Sequence, residues 1–330
     1  MTVLVTGGAG YIGSHMVLEL LDQGEKVVVV DNLSTGFRWA VPQVASLVVG
    51  DVGDQDLLRT VVKKYGVSAI VHFAGSIVVP ESVADPLGYY HNNTVKSRAL
   101  IEVAVAAGVR SFIFSSTAAV YGNPRKNPVD EAALPDPVSP YGTSKLMIEW
   151  MLRDTAAAHD LRYVALRYFN VAGADPKGRS GQSTPRATHL IKVACETALG
   201  KRDHMEVFGT DYPTPDGTCV RDYIHVTDLV RAHAAALGHL QNGGPSEVMN
   251  CGYSKGYSVL EAIGAVKRAS GRDFDVRLSG RRPGDPATIV AASDKIRECL
   301  GWRPQHDDLD RIAASALAWE EQLDRLKQAS

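Results

Sequence analysis

The chain opens on short apolar runs that alternate with longer amphipathic stretches. Residues 2–7 are β-branched, apolar on both faces and closed by a glycine, as in a strand buried from both sides. From Tyr11 the apolar residues recur at helical spacing as far as Gly24, a residue suited to a helix C-terminus. Residues 26–32, 46–52, 68–75 and 110–117 read as four further buried strands. Helical periodicity fills 55–66 and 92–108 between the last three. A helix over 140–160 then leads to a sixth strand at 161–170. Alternation of this kind predicts an α/β fold, a Rossmann-like doubly wound parallel sheet with helices on both faces. Beyond Asn170 the regularity fades. Residues 171–190 are rich in Gly, Pro and polar side chains, a long connection of the sort that carries function. We expect a dinucleotide-binding domain over 1–170 and a smaller mixed α/β substrate lobe over 171–330. The two interleave, because 222–237 and 247–266 each read as a strand followed by a helix that returns to the first sheet.

Composition narrows the possibilities. The 330 residues are 45% hydrophobic and 22% charged, with a net charge of -2 and no basic run. That excludes a large electrostatic surface for nucleic acid or anionic membrane. Cys195, Cys219, Cys251 and Cys299 lie far apart, with neither a CxxC pair nor zinc spacing. They are expected to be reduced thiols in a cytoplasmic protein, with no metal site. No apolar run is long enough for a membrane span, and the N-terminus enters a strand without a leader pattern.

Between the first strand and first helix stand Gly7, Gly10 and Gly13. A loop there must turn tightly, let its backbone approach a pyrophosphate and pack a helix on a strand. The helix then offers free N–H groups and a positive dipole to phosphates. Asp31 closes the second strand 18 residues beyond Gly13, the position of an acid that binds ribose hydroxyls. Its charge would repel a 2′-phosphate, which favours NAD over NADP.

Downstream, Ser139–Lys145 reads SPYGTSK. Tyr141 and Lys145 are four apart and share a helix face, and Pro140 suits the first turn. A phenol of pKa about 10 needs about 4 kcal/mol to ionise near pH 7. One cation about 4 Å away in a medium of effective dielectric about 20 supplies that order of energy. The pair is thus suited to take a proton from a sugar hydroxyl or return one. Taken alone it is equally a pair on a solvated face. Thr117, at the end of the fifth strand, adds a hydroxyl at the sheet edge where ligands bind.

The ordered motifs TGGAGYIGSH, DNLSTG, HFAGSIVVPESV, FSSTAAVYG, SPYGTSKLMIE, LRYFNVAGADP, FGTDYPTPDGTCVRDYIHVTDL and RRPGDP span nearly the whole chain. They closely resemble the UDP-glucose 4-epimerases of the extended short-chain dehydrogenase/reductase family. The resemblance implies an NAD-dependent isomerase that interconverts UDP-glucose and UDP-galactose through a 4-keto sugar. It places Tyr11 and Ile12 at the pyrophosphate, and Asp31, Asn32, Leu33, Ser34, Thr35 and Gly36 around the adenosine ribose. It places Asp51 and Val52 at the adenine, and Phe73, Ala74, Gly75, Asn93 and Phe169 along the cofactor. Thr117 would bind the sugar 4-hydroxyl, Tyr141 would take its proton, and Lys145 would hold the nicotinamide ribose. Asn170, His189, Leu190, Phe208, Arg221, Arg282 and Asp285 would bind the UDP-sugar, the arginines through its diphosphate. A homodimer is implied, with the helices near 92–108 and 145–158 available to pair.

Four positions depart from the common pattern or leave it open. Thr117 stands where many relatives carry serine, Ile77 where lysine is frequent, and His189 where asparagine is common. Ile289 occupies a position whose bulk bears on N-acetylated sugars. Three rival readings remain at this point. A 4-epimerase for UDP-GlcNAc, UDP-glucuronate or UDP-xylose needs no new catalytic group. A 4,6-dehydratase needs acidic residues after the threonine, where this chain has Ala118 and Ala119. An NAD-sensing protein without catalysis would have no use for the Thr–Tyr–Lys set.

Overall fold

The computed structural model describes residues 1–185, 187–282 and 284–329, so Pro283 of the RRPGDP motif lies outside the described residues. The apolar runs form strands wherever helices cover both faces. β1 (Thr2–Thr6), β2 (Lys26–Asp31), β3 (Ser46–Val49), β4 (Ala69–His72), β5 (Ser111–Ser115) and β6 (Arg162–Tyr168) are followed by β7 (Asn170–Ala172), β8 (Met205–Phe208), β9 (Val220–His225) and β10 (Glu247–Cys251). Seven of these make one sheet in the order β10-β6-β5-β4-β1-β2-β3, and every pairing in it is parallel. The order reverses beside β1, so the β1–β4 crevice at the C-terminal edge is the natural ligand site.

The helices are α1 (Tyr11–Asp22), α2 (Gln55–Tyr65), α3 (Val79–Ala84), α4 (Pro86–Tyr89), α5 (Lys96–Ala106), α6 (Pro140–Ala158), α7 (Leu190–Ala198), α8 (Val226–Gln241), α9 (Val259–Ser270), α10 (Asp294–Leu300) and α11 (Leu309–Ala329). Alternate strand residues enter opposite cores, as the two-residue period requires. Val3, Val5, Val29, Val71 and Ile113 pack with α1 and α8 residues such as Met16, Leu20, Leu229 and Leu237. Leu4, Val28, Ile70, Phe112 and Phe114 pack with α2, α5 and α6 through Leu58, Leu100, Ile148 and Leu152. Each fully buried side chain of this kind contributes about 1.5–3 kcal/mol.

A second, smaller sheet is built around β9. It pairs in parallel with β7 and β13 (Thr288–Ile289) and antiparallel with β11 (Gly256–Ser258), while β8 pairs separately with β12 (Val276–Ser279). Of the two stretches expected to return to the large sheet, α8 packs on it and β10 joins it. β9 instead forms the centre of the small sheet. The expected sixth strand divides at Phe169. That side chain packs against the small apolar cluster that contains Tyr121, Leu146 and Ile289, between β6 and β7. Residues 90–95 form a π-helical turn ahead of α5, a widening often found at functional sites. Among the described residues no helix is long and apolar enough to cross a membrane, and no cluster of His, Cys, Asp and Glu has the arrangement of a metal site.

Candidate active site

The glycines after β1 are there for space. Gly7 has φ 70°, and a Cβ on it would stand 2.7 Å from the Ala74 amide nitrogen. A Cβ on Gly13 would lie 2.1 Å from the Gly7 carbonyl oxygen. Gly10 caps α1 with no side-chain bond, so the first-turn N–H groups face outward unobstructed. Asp31 is buried at the end of β2, where Oδ2 accepts from Ala9 N at 2.9 Å and Oδ1 from Leu33 N at 2.8 Å. Residues 32–36 wrap back over the loop. Ser34 N donates to Asn32 Oδ1, Leu33 takes φ 59°, and a Cβ on Gly36 would lie 2.8 Å from the Ala9 carbonyl carbon. The open helix end, the side-chain-free cradle and the acid at the β2 end fit a dinucleotide such as NAD.

Further along the same edge, Asp51 binds Lys96 at 2.5 Å and the Gly53 N–H at 2.7 Å. Burial pushes Asp51 up, but these partners outweigh it and hold the carboxyl below its usual range. Val52 beside it is buried, as is Asn93. The Phe73 ring lies 4.9 Å from that of His233. Asn93 accepts from Ser76 N at 2.7 Å and donates to Ser144 Oγ at 3.0 Å, and it stands over Gly75, where a Cβ would meet its Oδ1 at 3.0 Å. The Tyr11 hydroxyl donates to the Gly173 carbonyl at 2.6 Å, tying α1 to the end of β7, and Ile12 packs into the core. Ile77 is half exposed.

α6 begins with Ser139 as N-cap, accepting from Gly142 N, and with Pro140 in its first turn. Tyr141 and Lys145 both face β5 and are buried. Burial raises the Tyr141 phenol, and the neighbouring Thr117 hydroxyl pulls the other way. Lys145 Nζ donates to the Ser115 carbonyl at 3.0 Å and lies 5.0 Å from the Phe114 ring centroid. Burial holds its pKa down to about 8, with Glu149 opposing that shift. The Lys145 ammonium is engaged by the β5 carbonyl, and burial is the larger influence on the phenol. His72, at the end of β4, bridges the Thr6 hydroxyl at 2.6 Å and the Ser97 hydroxyl at 2.8 Å. Burial first, and Lys145 second, lower it to about 3.

A second group gathers at the smaller sheets. The Arg282 guanidinium lies 4.6 Å over the Phe208 ring and binds Asp285 at 3.1 Å. Arg221 approaches Asp285 at 3.9 Å and donates to the Pro286 carbonyl at 2.8 Å. The register of β9 sets Arg221 beside Ile289 and Tyr223 beside Asn170. Phe208, Arg221, Arg282 and Asp285 therefore form one cluster, a planar aromatic face beside two cations. His189 caps α7 next to Leu190 and lines a different cavity, with Tyr11, Gly173, Gln182 and Trp319. Sequence reasoning missed Ser115, Ser116, Glu149 and Arg167 behind the Tyr–Lys pair. Glu149, four residues past Lys145, repeats the helical phase and carried a readable signal; the serine contacts depend on tertiary structure alone.

Comparison with known proteins converges on one group. Residues 3–252 match the model of the NAD dependent epimerase/dehydratase family. The chain is similar to the UDP-glucose 4-epimerase of Azospirillum brasilense, 57% identical over 323 residues, 98% of this chain and 93% of that protein. The fold superposes on the UDP-glucose 4-epimerase of Brucella ovis in complex with NAD with a TM-score of 0.93 at 45% identity, covering 96% and 97% of the two chains. It matches that of Bifidobacterium longum, in complex with NAD+ and UDP, with the same TM-score at 39% identity and 98% coverage of each.

Proposed function

The chain belongs to the NAD dependent epimerase/dehydratase family, and from that premise we propose that it acts as a UDP-glucose 4-epimerase, an NAD-dependent isomerase interconverting UDP-glucose and UDP-galactose. The observation that carries the reading is the convergence of the Tyr141 phenol, the Thr117 hydroxyl and the Lys145 ammonium at the end of β5, on the sheet edge that also holds the glycine cradle. NAD, when bound there, supplies a reversible hydride acceptor. The residues we assign to hold it are Gly7, Gly10, Tyr11, Ile12, Gly13, Asp31–Gly36, Asp51, Val52, Phe73–Gly75, Asn93, Lys145 and Phe169. Tyr141 removes the C4 hydroxyl proton and returns it to the same oxygen once the 4-keto sugar has turned its other face, so that C4 regains its hydride with inverted configuration, and Thr117 holds that oxygen in reach. Lys145 fixes the nearby ribose and adds positive charge to a pocket whose burial alone disfavours the phenolate. We assign Arg221 and Arg282 to the diphosphate, Phe208 to the uracil face, Asp285 to the uridine ribose, and Asn170, His189 and Leu190 to the nucleotide sugar. Residues 1–170 then carry the cofactor and 171–330 the substrate. Ala118 and Ala119 leave the site without the acids a dehydratase needs.

The test is a coupled assay with UDP-galactose on the wild type and on Tyr141→Phe. Turnover in the variant is expected to fall by about 10²–10⁴-fold, the usual worth of an acid–base group, with NAD still bound by absorbance. Full activity in Tyr141→Phe overturns the assigned base. A folded, NAD-loaded wild type inert towards every UDP-hexose favours the sensor reading. We also propose a cytoplasmic homodimer. Trp150 on α6 and Val95 ahead of α5 are half exposed on the helices expected to pair. Light scattering at micromolar concentration should give twice the 35.5 kDa chain mass, and a monomer mass removes the dimer.

A further inference from the structure

Tyr141, Lys145 and Glu149 recur every four residues on α6, and all three are buried. Their partners are three consecutive residues at the end of β5. The Thr117 hydroxyl stands at the phenol, the Ser115 carbonyl accepts from Lys145 at 3.0 Å, and Ser116 Oγ donates to Glu149 Oε1 at 2.5 Å. The rest of the carboxylate is taken by Arg167 of β6. Its Nη2 donates to Oε2 at 2.6 Å and its Nε lies 3.0 and 3.2 Å from the two oxygens. The guanidinium in turn stands 4.8 Å over the Tyr121 ring, whose hydroxyl donates to Asn250 Oδ1 on β10 at 2.7 Å.

A buried ion pair is costly beside an apolar pair of the same volume, so stability alone does not account for this one. Its place does. The Lys145 ammonium is sunk in the interior against a carbonyl and an aromatic ring, and Glu149 sets a carboxylate one helical turn away. We propose that Glu149 is a positioning residue: with Ser116 and Arg167 it clamps residues 115–117 to α6 in the register that sets Tyr141 and Lys145, and it is the counter-charge of the Lys145 ammonium. The proposal rests on the epimerase reading of this site.

The titratable groups around Lys145 are Tyr141 and Glu149 on α6 and His72 on β4, which burial keeps neutral. Arg167 and Tyr168 on β6 reach it through Glu149 and the Ser115 hydroxyl. Removing the Glu149 charge lowers the ammonium's pKa further. The charged form exists below that pKa, so it is lost at lower pH and the alkaline limb of turnover moves down.

The experiment compares wild type, Glu149→Gln and Ser116→Ala, all carrying NAD. It reads the titration of Lys145 by NMR of ¹⁵N-lysine-labelled protein and the pH profile of kcat with UDP-galactose. In Glu149→Gln both the titration and the alkaline limb should move down by about one unit, cutting turnover at pH 8 by about fivefold. Ser116→Ala keeps the charge. Its turnover should fall by about tenfold through misplacement, with the limb where it was. A Glu149→Gln protein that titrates and turns over as wild type does overturns the proposal. If that variant does not fold, Ser116→Ala with unchanged kcat overturns the clamp. A wild type without UDP-hexose activity sinks the epimerase reading instead, and the Lys145 titration still decides the counter-charge.

Discussion

Gly13 shows most plainly what a single position must satisfy. An alanine there brings its methyl carbon to within 2.1 Å of the Gly7 carbonyl oxygen, and neither can swing aside, since the oxygen is backbone and the Cβ has no torsion of its own. Overpacking of this kind costs about 1–3 kcal/mol, and here it also lifts the amides off the phosphate path. Gly13→Ala should therefore lose bound NAD on gel filtration and unfold at lower urea concentration, whereas a variant that keeps both stability and cofactor would refute the cradle. The glycine spacing was legible because only sterics decide it. The same is true of Tyr141 and Lys145: helical period alone puts both on one face, and both are buried against β5. The destination of the Lys145 ammonium was not legible. It depends on how far the β5 carbonyls reach towards α6, which is a property of packing.

At the scale of elements, the connection after β7 owes its shape to the last helix. Trp319 of α11 is buried, its Nε1 donates to Ser183 Oγ at 3.1 Å, and its ring lies 6.0 Å from that of Trp39, tilted by 31°. Gly181 lies flat against it, since a Cβ there would stand 2.3 Å from the indole Cγ. Ser180 meanwhile bonds Ser14 of α1 at 2.7 Å. The long loop is thus fastened over the glycine turn from both sides. Trp319→Ala should cost about 3–5 kcal/mol in urea melts, as for other buried tryptophans. A loss below 1 kcal/mol would mean the indole is dispensable. Alternating apolar runs revealed the strands of the large sheet, because the central ones are covered on both faces; β3 at the edge is only partly covered, and Val49 is exposed. The runs could not tell that β9 leaves that sheet while the helix behind it stays. The two share one apolar signature, and sheet membership is settled by hydrogen bonds to distant strands.

For the molecule as a whole, pH is the informative variable. Burial holds His15 and His233 down to about 4, and His72 and His225 to about 3. Their unfolded value is near 6.5, so between 6.5 and about 4 the unfolded chain binds protons that the folded one refuses. The stability these groups supply is complete above pH 6.5 and drains as pH falls, each adding a slope of up to about 1.4 kcal/mol per unit. Asp222, raised to about 6 by burial against its backbone donors, works the opposite way but is one group against four. Urea midpoints should drop steeply from pH 6.5 to 4.5, and a flat profile would show that these rings are solvated. The seventh strand has one more consequence. β10 lies some eighty residues after β6, its only neighbour in the sheet among the described residues. During translation the growing chain must therefore hold an unzipped strand margin open while the entire small sheet's central ribbon and α8 leave the ribosome, a window in which a chaperone has something to grip.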